Sequence, residues 1–240
     1  RVYGTAVKQL AGLSSLSGRR GLSGEDRTGQ ADRTDKRDQT DILSGYTIFL
    51  DRDGTLNADP GYITSPDQLE LFPGVPETLA RLKRAGARLI LVTNQSGIAR
   101  GLLSQDDLAV VHAKLKRILD GAGASLDAIY FCPHHPDDGC DCRKPNPGMI
   151  DQAVRERRVD LERAYLIGDH VRDIELAKRI GARSVLVTTG VVRPQESERL
   201  KETALAPDWI ASSMTEAADW LLCDAGRLPD QRNDGRAIHR

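Results

Sequence analysis

Tyr46-Thr47-Ile48-Phe49-Leu50-Asp51-Arg52-Asp53-Gly54-Thr55-Leu56-Asn57 is the stretch from which the fold can be read. Its first five residues are apolar and β-rich, and the run stops abruptly at Asp51. Such a run lacks the polar alternation of a half-exposed strand, so it predicts a strand buried on both faces, as in a parallel sheet. The form recurs in Arg88–Thr93, which ends at Asn94, and in Ala128–Phe131, Ala164–Ile167 and Ser184–Val187. Helical patterns lie between these runs, at Pro76–Ala85, Ser104–Gly121, Pro147–Arg157 and Asp173–Ile180. Gly86 and Gly181 follow two of them as C-terminal caps. Strands alternating with helices predict an α/β fold, a doubly wound and mainly parallel sheet.

Ligands of such a sheet bind beyond the carboxyl ends of its strands. The polar residues standing there are Asp51, Thr93-Asn94 and Gly168-Asp169. Asp51 and Asp53 are two carboxylates at i and i+2 in a tight Gly-containing loop. Asp-Gly alone would suggest only a turn, but placed directly after an apolar strand the pair reads as a site.

A second cluster is made of softer groups. Cys132-Pro133-His134-His135 and Cys140-Asp141-Cys142 flank a short Pro-Asp-Asp-Gly loop. Cys132, His134, Cys140 and Cys142 supply the four ligands of a closed tetrahedral Zn²⁺ site, structural rather than catalytic. His135 is an alternative to His134, and three reduced thiols in a plain loop are the bland reading. Clamped zinc would hold Arg143 and Lys144, which follow at once, over the crevice. Cys223 reads as a small buried hydrophobe near Trp220.

The 240 residues carry 34 basic and 35 acidic side chains, a formal net charge of −1. That balance argues against a non-specific nucleic-acid binder. No apolar run is long enough to span a membrane. Residues 1–44 are expected to form a disordered extension, because Ala31 is the only apolar side chain between Ser23 and Asp41. The first 22 residues faintly resemble a transit peptide, yet a cytoplasmic monomer is the expectation. The folded α/β domain is set at 45–223, and 224–240 as a polar tail.

Asp51-x-Asp53-Gly-Thr after a first strand resembles the opening motif of the haloacid dehalogenase-like phosphatases. Thr93 matches their second motif, Lys144 the third, and Gly168-Asp169 with Asp173 the fourth, in order along the chain. The resemblance implies Asp51 as nucleophile, Asp53 as general acid and base, and Thr93 and Lys144 as contacts to the phosphoryl oxygens. It implies a Mg²⁺ held by the Asp51 carboxylate, the Asp53 carbonyl and Asp169, with Asp173 orienting Lys144 and no fixed role for His170. The spacings from Asp51 to Thr93 and on to Lys144 leave no room for a cap domain.

The loops are similar to those of the heptose bisphosphate phosphatases within that superfamily, over roughly residues 46–190. This implies hydrolysis of the 7-phosphate of a small phosphorylated sugar, with Asp59, Pro60, Gly61, Tyr62, Thr93, Asn94, Gln95, Ser96, Arg143 and Lys144 touching substrate. The loop from His135 to Cys140 is shorter than in many relatives. Histidinol-phosphate phosphatases share the nucleophile and zinc loops, but Gln95–Gly101 and Gly61-Tyr62 lie closer to the heptose enzymes. A polynucleotide phosphatase would want a basic groove, and a non-enzymatic binding domain would lack one of Asp51, Asp53, Lys144 and Asp169.

Overall fold

A computed structural model describes residues 41–192, 197 and 200–227. The described strands form one six-stranded, fully parallel sheet in the order β3-β2-β1-β4-β5-β6. These are β1 (Thr47–Leu50), β2 (Arg88–Asn94), β3 (Ala128–Cys132), β4 (Ala164–Gly168), β5 (Arg183–Val187) and β6 (Trp209–Ala211). The described helices are α1 (Val75–Arg84), α2 (Gln105–Gly121), α3 (Gly148–Arg157), α4 (Val171–Ile180) and α5 (Met214–Arg227).

Strand side chains alternate in direction, and this builds two cores. Ile48 and Leu50 join Leu89, Leu91, Ile167 and Val185 under α1, α2 and α5. Phe49 joins Ile90, Val92 and Leu166 under α3 and α4. All four residues of β1 are buried, as a central strand with helices on both faces requires. β3 departs from this expectation: it is an edge strand, and Ala128, Ile129 and Phe131 are only half-buried.

The helices start where their caps stand. Ser104 Oγ accepts from Asp107 N–H at 3.1 Å, and Asp107 returns a carboxylate to Ser104 N–H at 2.8 Å, a reciprocal cap that begins α2. α4 starts at Val171, two residues before the expected Asp173, because His170 caps it.

Three expectations need correction. The packed chain begins before residue 45: Leu43 is fully buried and its N–H donates to Ala85 O at 2.7 Å, with Ile42 packed on the same core. It also runs past 223, because α5 continues to Arg227, Ala225 is buried, and Asp224 accepts from Tyr165 Oη at 2.8 Å. Cys223 is exposed on that helix, on its solvent side, and is not a core residue. Residues 1–40 and 228–240, the bulk of the two expected tails, lie outside the described residues. β6, whose three residues were too short to read, completes the sheet beside β5.

The chain runs outward from β1 to β2 and β3, then returns to lay β4 on the other side of β1. The crevice therefore opens at the carboxyl ends of β1 and β4. No domain is inserted between β1 and β4, in agreement with the tight spacing of the motifs. No helix among the described residues is long and apolar enough to cross a membrane.

Candidate active site and metal clusters

The crevice holds about 260 Å³ and is lined by Asp51, Asp53, Thr93, Lys144 and Asp169, among others. Parallel register delivers these residues. Leu50 lies beside Ile167, and Asp51 N–H still donates to Ile167 O at 2.9 Å, so Asp51 and Asp169 leave adjacent strands at nearly the same level.

Lys144 is the centre of the charge arrangement. It is 2% exposed, and its Nζ stands 2.8 Å from Asp51 Oδ1 and 2.7 Å from Asp173 Oδ1. The Asn94 side chain fixes it from behind: Oδ1 accepts from Lys144 N–H at 3.0 Å and Nδ2 donates to Lys144 O at 3.2 Å. Asp173 Oδ2 also accepts from His170 N–H at 3.1 Å, which ties Lys144 to the start of α4.

Asp51, Asp169 and Asp173 can bring one oxygen each within 4.8 Å of one another. Three carboxylates against one ammonium leave the cluster at −2. Burial pushes Asp51 up to about 7, and the neighbouring Asp173 and Asp169 add to this while Lys144 opposes it. Burial likewise pushes Asp169 up to about 6, against the donated N–H of Val191. Hard oxygens, surplus negative charge and carboxylates under mutual repulsion fit a hard divalent cation.

The backbone crowds Asp169 from two sides. A Cβ at Gly54, which has φ +79°, would stand 2.3 Å from its Oδ2, and one at Gly190 only 2.0 Å away. Thr55 Oγ1 donates to its other oxygen at 3.4 Å.

Asp53 faces an opposite balance. Burial would raise it, but the Arg52 guanidinium overrides this through paired bonds of 2.9 Å from Nε and Nη2, and holds it below the usual carboxylate range. Asn57 Nδ2 and Gln95 Nε2 donate to it as well, at 3.0 and 2.8 Å. Gln95 also donates to Thr93 Oγ1 at 2.9 Å, so its amide is spent inside the wall.

Other expected contacts sort by position. Asp59, Gly61, Tyr62, Asn94, Ser96 and Arg143 line the crevice, with Asp59 Oδ1 held by Gly61 N–H at 2.8 Å. Pro60 is exposed and is not part of the lining. Besides His170, five lining residues, Ile63, Arg100, Pro136, Arg172 and Val191, are not among the expected substrate contacts. Val191 was findable, since it follows β5, another strand ending at this edge. His170 lines the crevice while its Nδ1 accepts from Arg172 N–H at 3.2 Å as a helix cap.

The soft cluster assembles as the spacing suggested. His134 Nδ1 lies 3.1 Å from Cys142 Sγ and 3.6 Å from Cys132 Sγ, and Cys140 Sγ lies 3.6 Å from both other sulfurs. Ligands about 2.0–2.3 Å from a tetrahedral zinc are separated by roughly 3.3–3.8 Å, so the group is close to metal-ready. His135 is turned to other work, since its Nδ1 accepts from Asp137 N–H at 3.4 Å.

A HAD-hydrolase-like family model matches residues 141–217. A D-glycero-β-D-manno-heptose-1,7-bisphosphate 7-phosphatase of Yersinia pestis is 42% identical over 178 residues, covering 70% of this chain and 91% of that one. The chain belongs to this phosphatase family. The enzyme of the same name from Escherichia coli K12 is 38% identical over 178 residues, 70% of this chain and 90% of its own. Among solved structures, the D,D-heptose 1,7-bisphosphate phosphatase of B. bronchiseptica, complexed with magnesium and phosphate, superposes with a TM-score of 0.67 at 39% identity. It covers 75% of this chain and 99% of that one. Membership of the phosphatase family makes this chain a phosphoric monoester hydrolase, and its sheet is the haloacid dehalogenase-like fold expected from the motifs.

Proposed function

We propose that this phosphatase removes the 7-phosphate of D-glycero-D-manno-heptose 1,7-bisphosphate through an aspartyl-phosphate on Asp51, in nucleotide-activated heptose biosynthesis. The observation that carries the chemistry is the buried Asp51–Lys144–Asp173 chain at the carboxyl edge of the sheet, beside Asp169. The substrate assignment rests on the names of the relatives, over matched segments spanning most of their length.

A phosphate dianion repels an approaching carboxylate, so attack needs neutralisation and alignment. Lys144 supplies a positive charge fixed at the nucleophile, and Thr93 a hydroxyl at the end of the neighbouring strand. Asp51 attacks phosphorus in line with the departing sugar oxygen. Asp53 gives that oxygen a proton, then takes one from the water that hydrolyses phospho-Asp51. In the state described, Arg52 holds Asp53 ionised. An incoming phosphate places negative charge beside Asp53 and opposes Arg52, the direction needed for Asp53 to carry a proton.

Asp51, Asp169 and the Asp53 carbonyl would hold Mg²⁺, which neutralises phosphoryl charge when bound. Asp173, held by Lys144, orients that lysine. Cys132, His134, Cys140 and Cys142 would hold Zn²⁺ and fix the loop carrying Arg143 and Lys144. The test is phosphate release from the α and β heptose bisphosphates, histidinol phosphate and fructose 1,6-bisphosphate. Preference for either heptose ester is expected. Preference for histidinol phosphate would overturn the substrate while leaving the chemistry.

A further inference from the structure

His112 sits on α2, 60 residues from Arg52, and is 7% exposed. A ring with two polar nitrogens is a costly way to fill the inner face of a helix unless a nitrogen is used. Arg52 Nη1 stands 3.2 Å from His112 Nε2. A guanidinium cannot accept a hydrogen bond, so Arg52 donates, and His112 must present a bare Nε2 with its proton on Nδ1. Burial first, then the Arg52 charge, push the ring down to about 4, so it is neutral at working pH as an acceptor must be. Phe131 packs edge-on against the ring, with centroids 6.1 Å apart.

Arg52 is itself fully buried, and its other edge is committed to Asp53 through the two 2.9 Å bonds, with Gln95 Oε1 accepting from Nη2 at 3.2 Å. The guanidinium is a rigid plane. Gripped by Asp53 on one edge and His112 on the other, it cannot turn without breaking a buried hydrogen bond. His112 does not line the crevice, so anything it does for turnover passes through Arg52.

We propose that His112 is a positioning residue for proton transfer: by holding Arg52 in plane, it sets where the Asp53 carboxyl stands relative to the leaving oxygen. This rests on the reading of Asp53 as the proton donor. Without the acceptor, Arg52 loses its outer anchor and Asp53 is held in a wider range of positions. Asp51 and Lys144 keep their own ion pair, which involves neither His112 nor the Arg52 guanidinium.

Leaving-group dependence separates this role from a merely structural one. A sugar alkoxide needs a proton as it departs, whereas 4-nitrophenolate does not. In Mg²⁺-loaded full-length enzyme, His112→Leu should lower kcat on heptose bisphosphate by ~10–100-fold, with KM little changed, yet lower kcat on 4-nitrophenyl phosphate by less than ~3-fold. The ratio of the two activities is independent of how much variant is folded. His112→Gln, whose amide oxygen can stand near the place of Nε2, should recover most of the ratio. Asp53→Asn serves as the reference for complete loss of the donor. If it discriminates between the esters and His112→Leu does not, the His112 role is wrong and the donor reading stands. If Asp53→Asn fails to discriminate, the donor reading falls and the His112 proposal with it.

Discussion

The two metal-competent clusters among the described residues are interleaved in sequence, the thiol set falling between Asp51 and Asp169, and they are built on opposite principles. In the carboxylate cluster Asp51 and Asp169 follow strand ends and Asp173 stands in the first turn of α4, and Lys144 offsets only one of the three charges. In the thiol cluster only Cys132 stands at a strand end, that of β3, and the other three ligands sit in the loop around the short turn Pro136–Asp138. Strand ends already have positions fixed by the sheet, so a hard, exchangeable cation can be left to complete the charge. A loop lacks such support, and soft ligands that close completely around an ion can supply it. Lys144 joins the two, two residues after Cys142 and in contact with Asp51.

The sharpest way to break this contrast is to remove the nucleophile. Asp51→Asn should cut phosphate release by at least ~10³-fold, as expected for loss of a covalent nucleophile, while zinc content stays near one equivalent. Asp53→Asn should cost ~10²–10⁴-fold with Mg²⁺ binding largely kept. Metal analysis and phosphate release on the same preparations check both. Turnover near wild type in either variant would remove the aspartyl-phosphate mechanism.

The next effect lies on the other side. Cys142→Ser should lose the zinc, and activity should fall ~10–100-fold, the range seen when the support of a site is removed. Excess Mg²⁺ should not restore it, because the defect is in where Arg143 and Lys144 stand. Full activity in a zinc-free variant would reduce the cluster to an ordinary loop.

A smaller effect should appear in stability. Asp51 and Asp169 are raised from 3.8 to about 7 and about 6, so the folded chain keeps protons that the unfolded chain has released. Stability from this source falls as pH rises through that window. Mg²⁺ should cancel the loss by pairing with the ionised carboxylates. Melting temperatures with and without Mg²⁺, in buffer free of chelator, should differ little at pH 5 and by several degrees at pH 8. A difference that stays flat across the window would mean that the carboxylates are not the cation site.

The same contrast explains what could be read from the sequence. Strand-end residues such as Asp51, Thr93 and Asp169 were legible because an apolar run stopping at a polar residue is a local pattern. The thiol cluster was legible because its ligands lie within eleven positions. β6 was missed because three residues carry too little pattern, and Leu43 because the short pair Ile42-Leu43 before β1 looks like part of a polar tail. Arg52 and His112 could not be paired in advance. Their contact depends on how α2 is laid on the sheet, with His112 meeting Phe131 of β3 and the Arg52 side chain beyond β1, which no spacing along the chain records.

Cys223 gives the finest test of the comparison. It was expected to be buried, yet α5 turns it outward, because Ala217, Ala218, Leu221 and Ala225 take the core-facing positions of that helix. Residues 221 and 225 are about one turn apart on the buried face, and position 223, roughly 200° round the helix from Leu221, lies on the opposite face, which meets solvent. Its thiol has no part in the cluster formed by Cys132, Cys140 and Cys142. Cys223→Ser should therefore change stability by no more than ~0.5 kcal/mol, as is usual for surface sites. Zinc content and kcat should also match the wild type. A loss of zinc in this variant would mean that the fourth cysteine competes for the metal, and that the closed set of three thiols and His134 is the wrong assignment.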